Sequence, residues 1–394
     1  MTLPGRCPGP RSIFGTMKAL APTSEAELAE MVASASEPLR IMGGGTRPIG
    51  VPVNGQPLTT SRLTGVTLYE PGALTLVVQA GTPVEEVRKT LAAEGQRLAF
   101  EPMDHRGLLG TTGEPTIGGV FAANVSGPRR IQAGAARDFL LGVRFVDGQG
   151  QVTRNGGRVM KNVTGYDLVK LMAGSYGTLG VLTELALKVL PASHHTATIT
   201  LSGLDDTTAV AALSRALGSP FEITGAAHRQ TADGPQTCLR IEGFEKSVAY
   251  RAGQIQTLLA DLGAAKVETD PDTNTTLWQD IRDVACFHDG EGDIWRLSVK
   301  PSDAPGIKAQ VDGAEALYDW GGGLVWLRVP QNTHADTIRA AVNAAGGHAT
   351  LIRGNRAGGA FQPLSPPIAA LQDGLRARFD PRGILNPGLM GRAA

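Results

Sequence analysis

Cysteine is scarce. Cys7, Cys238 and Cys286 stand far apart in 394 residues, a count that excludes a disulfide framework and suits a reducing cytoplasm. Iron–sulfur clusters need about four thiolate ligands, so electrons from any redox chemistry must leave through another carrier. An excess charge of one sign is also missing, because 37 basic and 37 acidic residues give a formal net charge of +0. That balance argues against nucleic acid, whose phosphates call for a basic excess. No apolar run approaches the ~20 residues of a membrane span. The opening MTLPGRCPGPRSIFGT has no apolar signal core. The expectation is a cytoplasmic chain, peripheral at the inner membrane only through partners. Met17 offers an ordinary start, which leaves residues 1–16 as an upstream extension or a tail.

Glycine, by contrast, is abundant at 51 residues, and 42% of the chain is hydrophobic. This is enough to bury a core, and the length suits two to three domains at ~150 residues each. Ser24 with Glu27 forms a capping box that opens a helix over 25–36. A strand over 39–42 runs into Gly43-Gly44-Gly45-Thr46. Strands follow over 58–63 and 74–79, and Thr82-Pro83-Val84-Glu85 starts a helix. Asp147-Gly148 marks a hairpin between strands 140–146 and 151–154. Beyond Pro191 strands are expected at 196–201, 237–242, 265–268, 295–300 and 324–328. Helices are expected at 206–217, 246–262, 276–286 and 335–345. That order gives an antiparallel sheet with helices on one face, an α+β arrangement. A last helix over 367–379 precedes an extended tail.

Three glycine loops carry the chemistry. Gly43–Gly45 follow a strand and can turn neighbouring N–H groups into an anion-binding nest, or simply form a tight turn. They do not have the spacing of a Rossmann fingerprint. Thr116-Ile117-Gly118-Gly119 open a short apolar helix, either to meet a ligand or to pack helix on sheet. Gly174-Ser175-Tyr176-Gly177-Thr178-Leu179-Gly180 feeds a buried strand over 181–189, where close backbone approach to a flat ligand explains the glycines.

In this order the loops resemble the FAD-linked oxidases of the vanillyl-alcohol oxidase type, whose flavin domain is that of p-cresol methylhydroxylase. Residues 42–47, 116–130, 161–167, 174–184 and 379–389 carry the likeness. Within that superfamily, Ser126-Gly127-Pro128-Arg129-Arg130 and Lys161-Asn162-Val163-Thr164-Gly165-Tyr166-Asp167 are most similar to the E subunits of glycolate oxidase. The resemblance implies an α+β chain with an N-terminal extension over 1–20 and a two-subdomain FAD-binding domain over 21–192. An α+β cap with an antiparallel sheet follows over 193–365, and a helix and tail over 366–394 return to the flavin domain. It implies that Gly43, Gly44, Gly45, Thr46, Thr116, Ile117, Gly118 and Gly119 hold the FAD pyrophosphate. Asn124, Ser126 and Gly127 would lie along the flavin or ribityl chain. Gly180 and Val181 would present backbone to it, and Asn386 would return near the isoalloxazine. Thr46 stands where covalent members carry a flavin-linking histidine, so the FAD is expected to be non-covalent. The implied partners are a D-type flavin subunit, an iron–sulfur subunit and a small 2-hydroxy acid.

Oxidising a 2-hydroxy acid takes a base and a cation for the carboxylate beside the flavin. The Gly-Asp-Gly-Asn stretch of related D-2-hydroxy-acid dehydrogenases is absent. His194 and His195 are adjacent, so a strand would point them apart, and no metal site is expected. His228, His334 and His348 read as surface residues, and His105 reads as nearer to cofactor than to substrate. The remaining catalytic candidates are Arg296 and Lys300, spaced to share one face of a strand, with His288 preceding them; the alternative is a solvated sheet face. Arg129 and Arg130 would bind phosphate or a partner surface. Tyr166 and Asp167 would orient the flavin edge or form a buried pair. Two functions stay open: an enzyme subunit that oxidises glycolate or a close D-2-hydroxy acid, and a subunit that binds FAD only to relay electrons or aid assembly.

Overall fold

The computed structural model describes residues 18–158 and 165–391. Cys7, the Met17 start and Lys161–Thr164 of the motif above lie outside them. Ser24 caps the first helix, Glu25–Ser34, by accepting from the Glu27 N–H at 3.1 Å. The Glu27 carboxylate reaches back to Thr23 instead of Ser24. Leu39–Met42 pairs in parallel with Gln56–Thr59, which leaves the glycines at the strand's carboxyl end. The tail closes on the same strand: Leu39 N donates to the Ile384 carbonyl at 2.7 Å, and Asn386 N to the Leu39 carbonyl at 3.0 Å. Beside this pair lies a five-stranded antiparallel sheet, ordered Val66–Glu70, Thr75–Gln79, Val181–Lys188, Leu140–Val146 and Val152–Gly156.

The second half builds an eight-stranded antiparallel sheet whose central order is Gly234–Gly243, Gly225–Thr231, Glu315–Asp319, Leu324–Val329, Asp293–Ser298. Three of its strands have no sequence signal: Gly225–Thr231, Glu315–Asp319 and His348–Arg353. The first reads Gly-Ala-Ala because a Cβ at Gly225 would lie 2.6 Å from the Trp278 ring; small residues replace the β-branched ones that mark strands. The expectation of helices on one face is corrected. Asp206–Leu217 and Glu245–Leu258 bury against Ala226, Leu239 and Ile241, whereas Trp278 and Ile281 of helix Pro271–Asp283 meet Ala227 and Cys238. Successive strand residues face opposite ways, so both faces carry helices.

His228 is corrected as well. It is fully buried, held by the Thr237 hydroxyl at 2.9 Å and 3.4 Å from the Asp206 carboxylate. His348 is exposed. Among the described residues no helix is long and apolar enough to cross a membrane.

Buried charge joins the two sheets. Glu101 accepts from the Arg129 N–H at 2.9 Å and from both Arg240 η-nitrogens at 3.0 and 2.9 Å. Glu242 receives Arg97 at 2.9 Å and Arg129 at 2.6 Å. Arg129 therefore sits inside an ion network, not on a partner surface. Burial alone would raise the Glu101 carboxyl, but Arg240 and Arg129 outweigh it and hold it at about 2. Its folded pKa thus lies below its unfolded value of about 4.3. The stabilisation is present above that unfolded value and is lost as pH falls from there toward 2. Glu101→Gln would leave two buried guanidinium groups short of counter-charge. It is expected to cost about 3 kcal/mol and to flatten acid destabilisation between pH 4 and 2 in denaturant titrations; an unchanged acid limb would remove Glu101 from this role.

Candidate functional site

Two glycine loops seat directly on each other. A Cβ at Gly44 would come within 1.7 Å of the Glu114 carbonyl oxygen, and one at Gly113 within 1.7 Å of the Gly44 carbonyl. A Cβ at Gly43 would strike the Thr116 hydroxyl at 2.3 Å. That hydroxyl accepts from the Gly119 N–H at 3.3 Å and caps helix Ile117–Ala122. Gly44 and Gly113 are therefore required by backbone contact, and Gly43 by the Thr116 side chain. Gly118 packs on Ala80, and Gly180 on the Phe145 ring, at 2.7 and 2.6 Å from the absent Cβ.

Gly45 and Gly119 differ from these. Gly45 has φ +72° and only the Met42 methyl within 4 Å of a built Cβ; Gly119 has only the Thr116 hydroxyl, at 3.1 Å. Both line a cavity of about 1020 Å³, at the upper end of the roughly 300–1,000 Å³ typical of ligand sites. Its wall also takes in Gly43, Gly44, Thr46, Thr116, Gly118, Gly180, Val181 and Asn386. A dinucleotide fits these surroundings, because the open glycine surfaces form a cradle that any side chain would fill.

Four expected contacts fall elsewhere. Ile117 is a core residue with no exposure. Asn124, at φ +50°, accepts from Arg137 N at 3.0 Å. The Ser126 hydroxyl accepts from Ala136 N at 2.9 Å. Gly127 packs on the Glu101 carbonyl and accepts from the Trp320 indole at 3.0 Å. None of the four lines the cavity; they shape its surroundings. Asn386 does line it, and ties the tail to two walls by accepting from Ile41 N at 2.8 Å and donating to the Tyr176 carbonyl at 2.9 Å.

The catalytic trio does not assemble. The strand carrying Arg296 ends at Ser298, ahead of Pro301, and Lys300 is exposed beyond it. His288 donates from Nε2 to the Asp283 carbonyl at 2.8 Å, away from the cavity. Arg296 does not line the cavity either; it lies beside Trp326 on the adjacent strand and 5.3 Å over the Trp320 ring, which Arg130 also covers at 4.3 Å. Burial lowers the Arg296 guanidinium to about 10. Tyr166 is 87% exposed, and Asp167 caps helix Leu168–Met172, so neither forms a buried pair.

The sequence reading missed Arg47, Tyr176 and Arg356, all at the cavity wall. Arg47 donates to the Gly119 carbonyl. Arg356 bonds the carbonyls of Pro48 and Ile352, and its buried Nε has no partner. Among the described residues no carboxylate pairs with Arg47, Arg296 or Arg356, and burial lowers the proton affinity of all three. A cation without counter-charge becomes more costly the more deeply it is buried. Arg47 directly follows the first glycine loop, and that adjacency was the available signal; Arg356 sits in an irregular loop that offered none. His105 was assigned near the cofactor and does line the cavity. Burial, and then the charges of Arg47 and Arg296, hold its imidazole neutral.

Comparison with known proteins agrees with this geometry. Residues 18–156 match the FAD binding domain family, and FAD is the cofactor. Two solved structures share the fold: alkyldihydroxyacetonephosphate synthase (TM-score 0.66, 19% identity, 94% of this chain and 76% of that one) and p-cresol methylhydroxylase with substrate bound (TM-score 0.66, 15% identity, 95% and 88%). Glycolate oxidase subunit GlcD of Bacillus subtilis is 31% identical over 44% of this chain and 36% of its own length. Glycolate oxidase subunit GlcE of Escherichia coli is 36% identical over 90% of this chain and 92% of its own. With a glycine-walled dinucleotide cavity and likeness along nearly its whole length, the chain belongs to the FAD-linked glycolate oxidase GlcE family.

Proposed function

We propose that this chain is the FAD-binding subunit of a glycolate oxidase complex. It oxidises glycolate or a close D-2-hydroxy acid to the 2-oxo acid, and its electrons pass to an iron–sulfur partner alongside a D-type flavin subunit. The observation that carries this reading is the group of partly to fully buried guanidinium groups, those of Arg47, Arg296 and Arg356, without carboxylate partners at and behind the cavity wall. A diphosphate and a substrate carboxylate are the anions that such a site lacks.

Gly45, Thr46 and Gly119, with Arg47 beside them, would hold the pyrophosphate through backbone N–H groups and one fixed cation. Thr46 offers no histidine for a covalent link, so the FAD exchanges. When bound, the isoalloxazine supplies the hydride acceptor. Arg356, anchored by two carbonyls with Nε free, would orient the substrate carboxylate. The neutral imidazole of His105 would take the hydroxyl proton. Arg296 acts from behind Tyr176 and His105 by its charge. The second reading, a subunit that only relays electrons, draws support from the placement of Lys300 and His288 away from the cavity.

Anaerobic absorbance spectra of the yellow chain, before and after glycolate and then D-lactate, separate the two readings. Bleaching by substrate alone supports direct oxidation, and bleaching only with the partner subunits supports the relay. A colourless chain that takes up no FAD would overturn both. Gly119→Asp is expected to retain the fold and lose about 10- to 100-fold in FAD affinity; full occupancy after dialysis would refute the cradle. Gly44→Asp is a poorer test, because it also breaks the contact with Glu114. His105→Gln should keep FAD yet slow bleaching by about 100-fold or more. Because its pKa lies well below the ordinary 6.5, the wild-type rate should stay level from neutral pH upward and fall only in acid; an unaltered variant rate would dismiss His105 as the base.

A further inference from the structure

We propose that a second cavity, of about 370 Å³, is a binding site for a small oxyanion, a short-chain carboxylate or a phosphate, held between the two sheets. It is separate from the dinucleotide cavity, shares no lining residue with it, and does not depend on the function proposed above.

Four guanidinium groups line it, those of Arg97, Arg129, Arg240 and Arg282, against two lining carboxylates, Glu101 and Glu242. Arg282 is also paired with Asp283 at 2.6 Å. Four cations thus meet three carboxylates, an excess of one positive charge in a largely buried place. Unpartnered donors outnumber unpartnered acceptors there, two arginine Nε atoms against the Glu242 Oε2. The Nε atoms of Arg97 and Arg129 are buried with no partner, and the Arg129 side chain is only 4% exposed. Burial and the neighbouring Arg240 pull the Arg129 guanidinium down to about 9, as expected of a cation short of counter-charge.

Size and walls limit the ligand. The volume is near the lower end of the roughly 300–1,000 Å³ range of ligand pockets, which suits a small acid and leaves little room for a nucleotide. Guanidinium forks match the oxygens of carboxylates and phosphates alike. Arg97, Glu101 and Arg129 come from the first half of the chain, and Arg240, Glu242 and Arg282 from the eight-stranded sheet and its helix. An anion here would therefore clamp the contact between the two halves.

The test uses the FAD-loaded chain, with Tm followed during separate titrations of inorganic phosphate and malonate at ionic strength fixed by sodium chloride. Gln279→Glu adds a carboxylate at an exposed helical position on the cavity wall, so it leaves the core untouched. Arg97→Gln removes a donor directly. The expected result is a saturable rise in Tm with at least one probe, whose half-saturation concentration increases five-fold or more in both variants while the flavin absorbance is unchanged. A stronger response to malonate identifies a carboxylate site, and the reverse a phosphate site. No rise, a rise that sodium chloride reproduces, or equal responses in the wild type and Gln279→Glu would overturn the proposal.

Discussion

The cavity depends on one contact between loops, the seating of Gly44 on the backbone of Gly113 and Glu114 and of Gly43 on the Thr116 side chain. At this approach there is no room for a Cβ on either loop, so glycine here is a demand of protein on protein before it concerns any ligand. Beside the interlocked loops, Gly45 and Gly119 border the cavity, each with a single side-chain atom, of Met42 or Thr116, near the position of a Cβ. The glycines that line the cavity at Gly45 and Gly119 are thus held in place by a different set of glycines. Asn386 fixes the third wall by bridging Ile41 and the Tyr176 carbonyl.

A second constraint is the treatment of buried charge. At the junction of the sheets, Glu101 and Glu242 compensate Arg97, Arg129 and Arg240, and the Trp320 indole bonds across to Gly127. At the cavity, Arg47 and Arg356 are bonded to backbone carbonyls only. The two places therefore differ in what holds their cations, carboxylates at the junction and backbone carbonyls at the cavity. Asp319, buried next to Trp320, belongs to the same zone, and its carboxyl is raised by burial to about 7.

The FAD-binding half was legible because its signals are local. A strand running into three glycines, two glycines opening a short apolar helix and a hairpin at Asp147-Gly148 each depend on residues close in sequence. In the second half the strands with alternating or branched residues were readable. Gly225–Thr231 was not, because its small residues answer to Trp278, a neighbour 50 positions away.

The sequence by itself determined the class of fold and, through the resemblance of its glycine loops to those of FAD-linked oxidases, the dinucleotide, because the motifs that carry that likeness each span only a few residues. Only the tertiary structure decided which glycines line the cavity and which pack on protein. It also decided that Arg296 lies over Trp320 while Lys300 is exposed, and that Arg47, His105 and Arg356 line one cavity. A strand's end, a cation's missing counter-charge and the placing of residues 105 and 356 on one cavity wall are set by long-range packing, which no local pattern encodes.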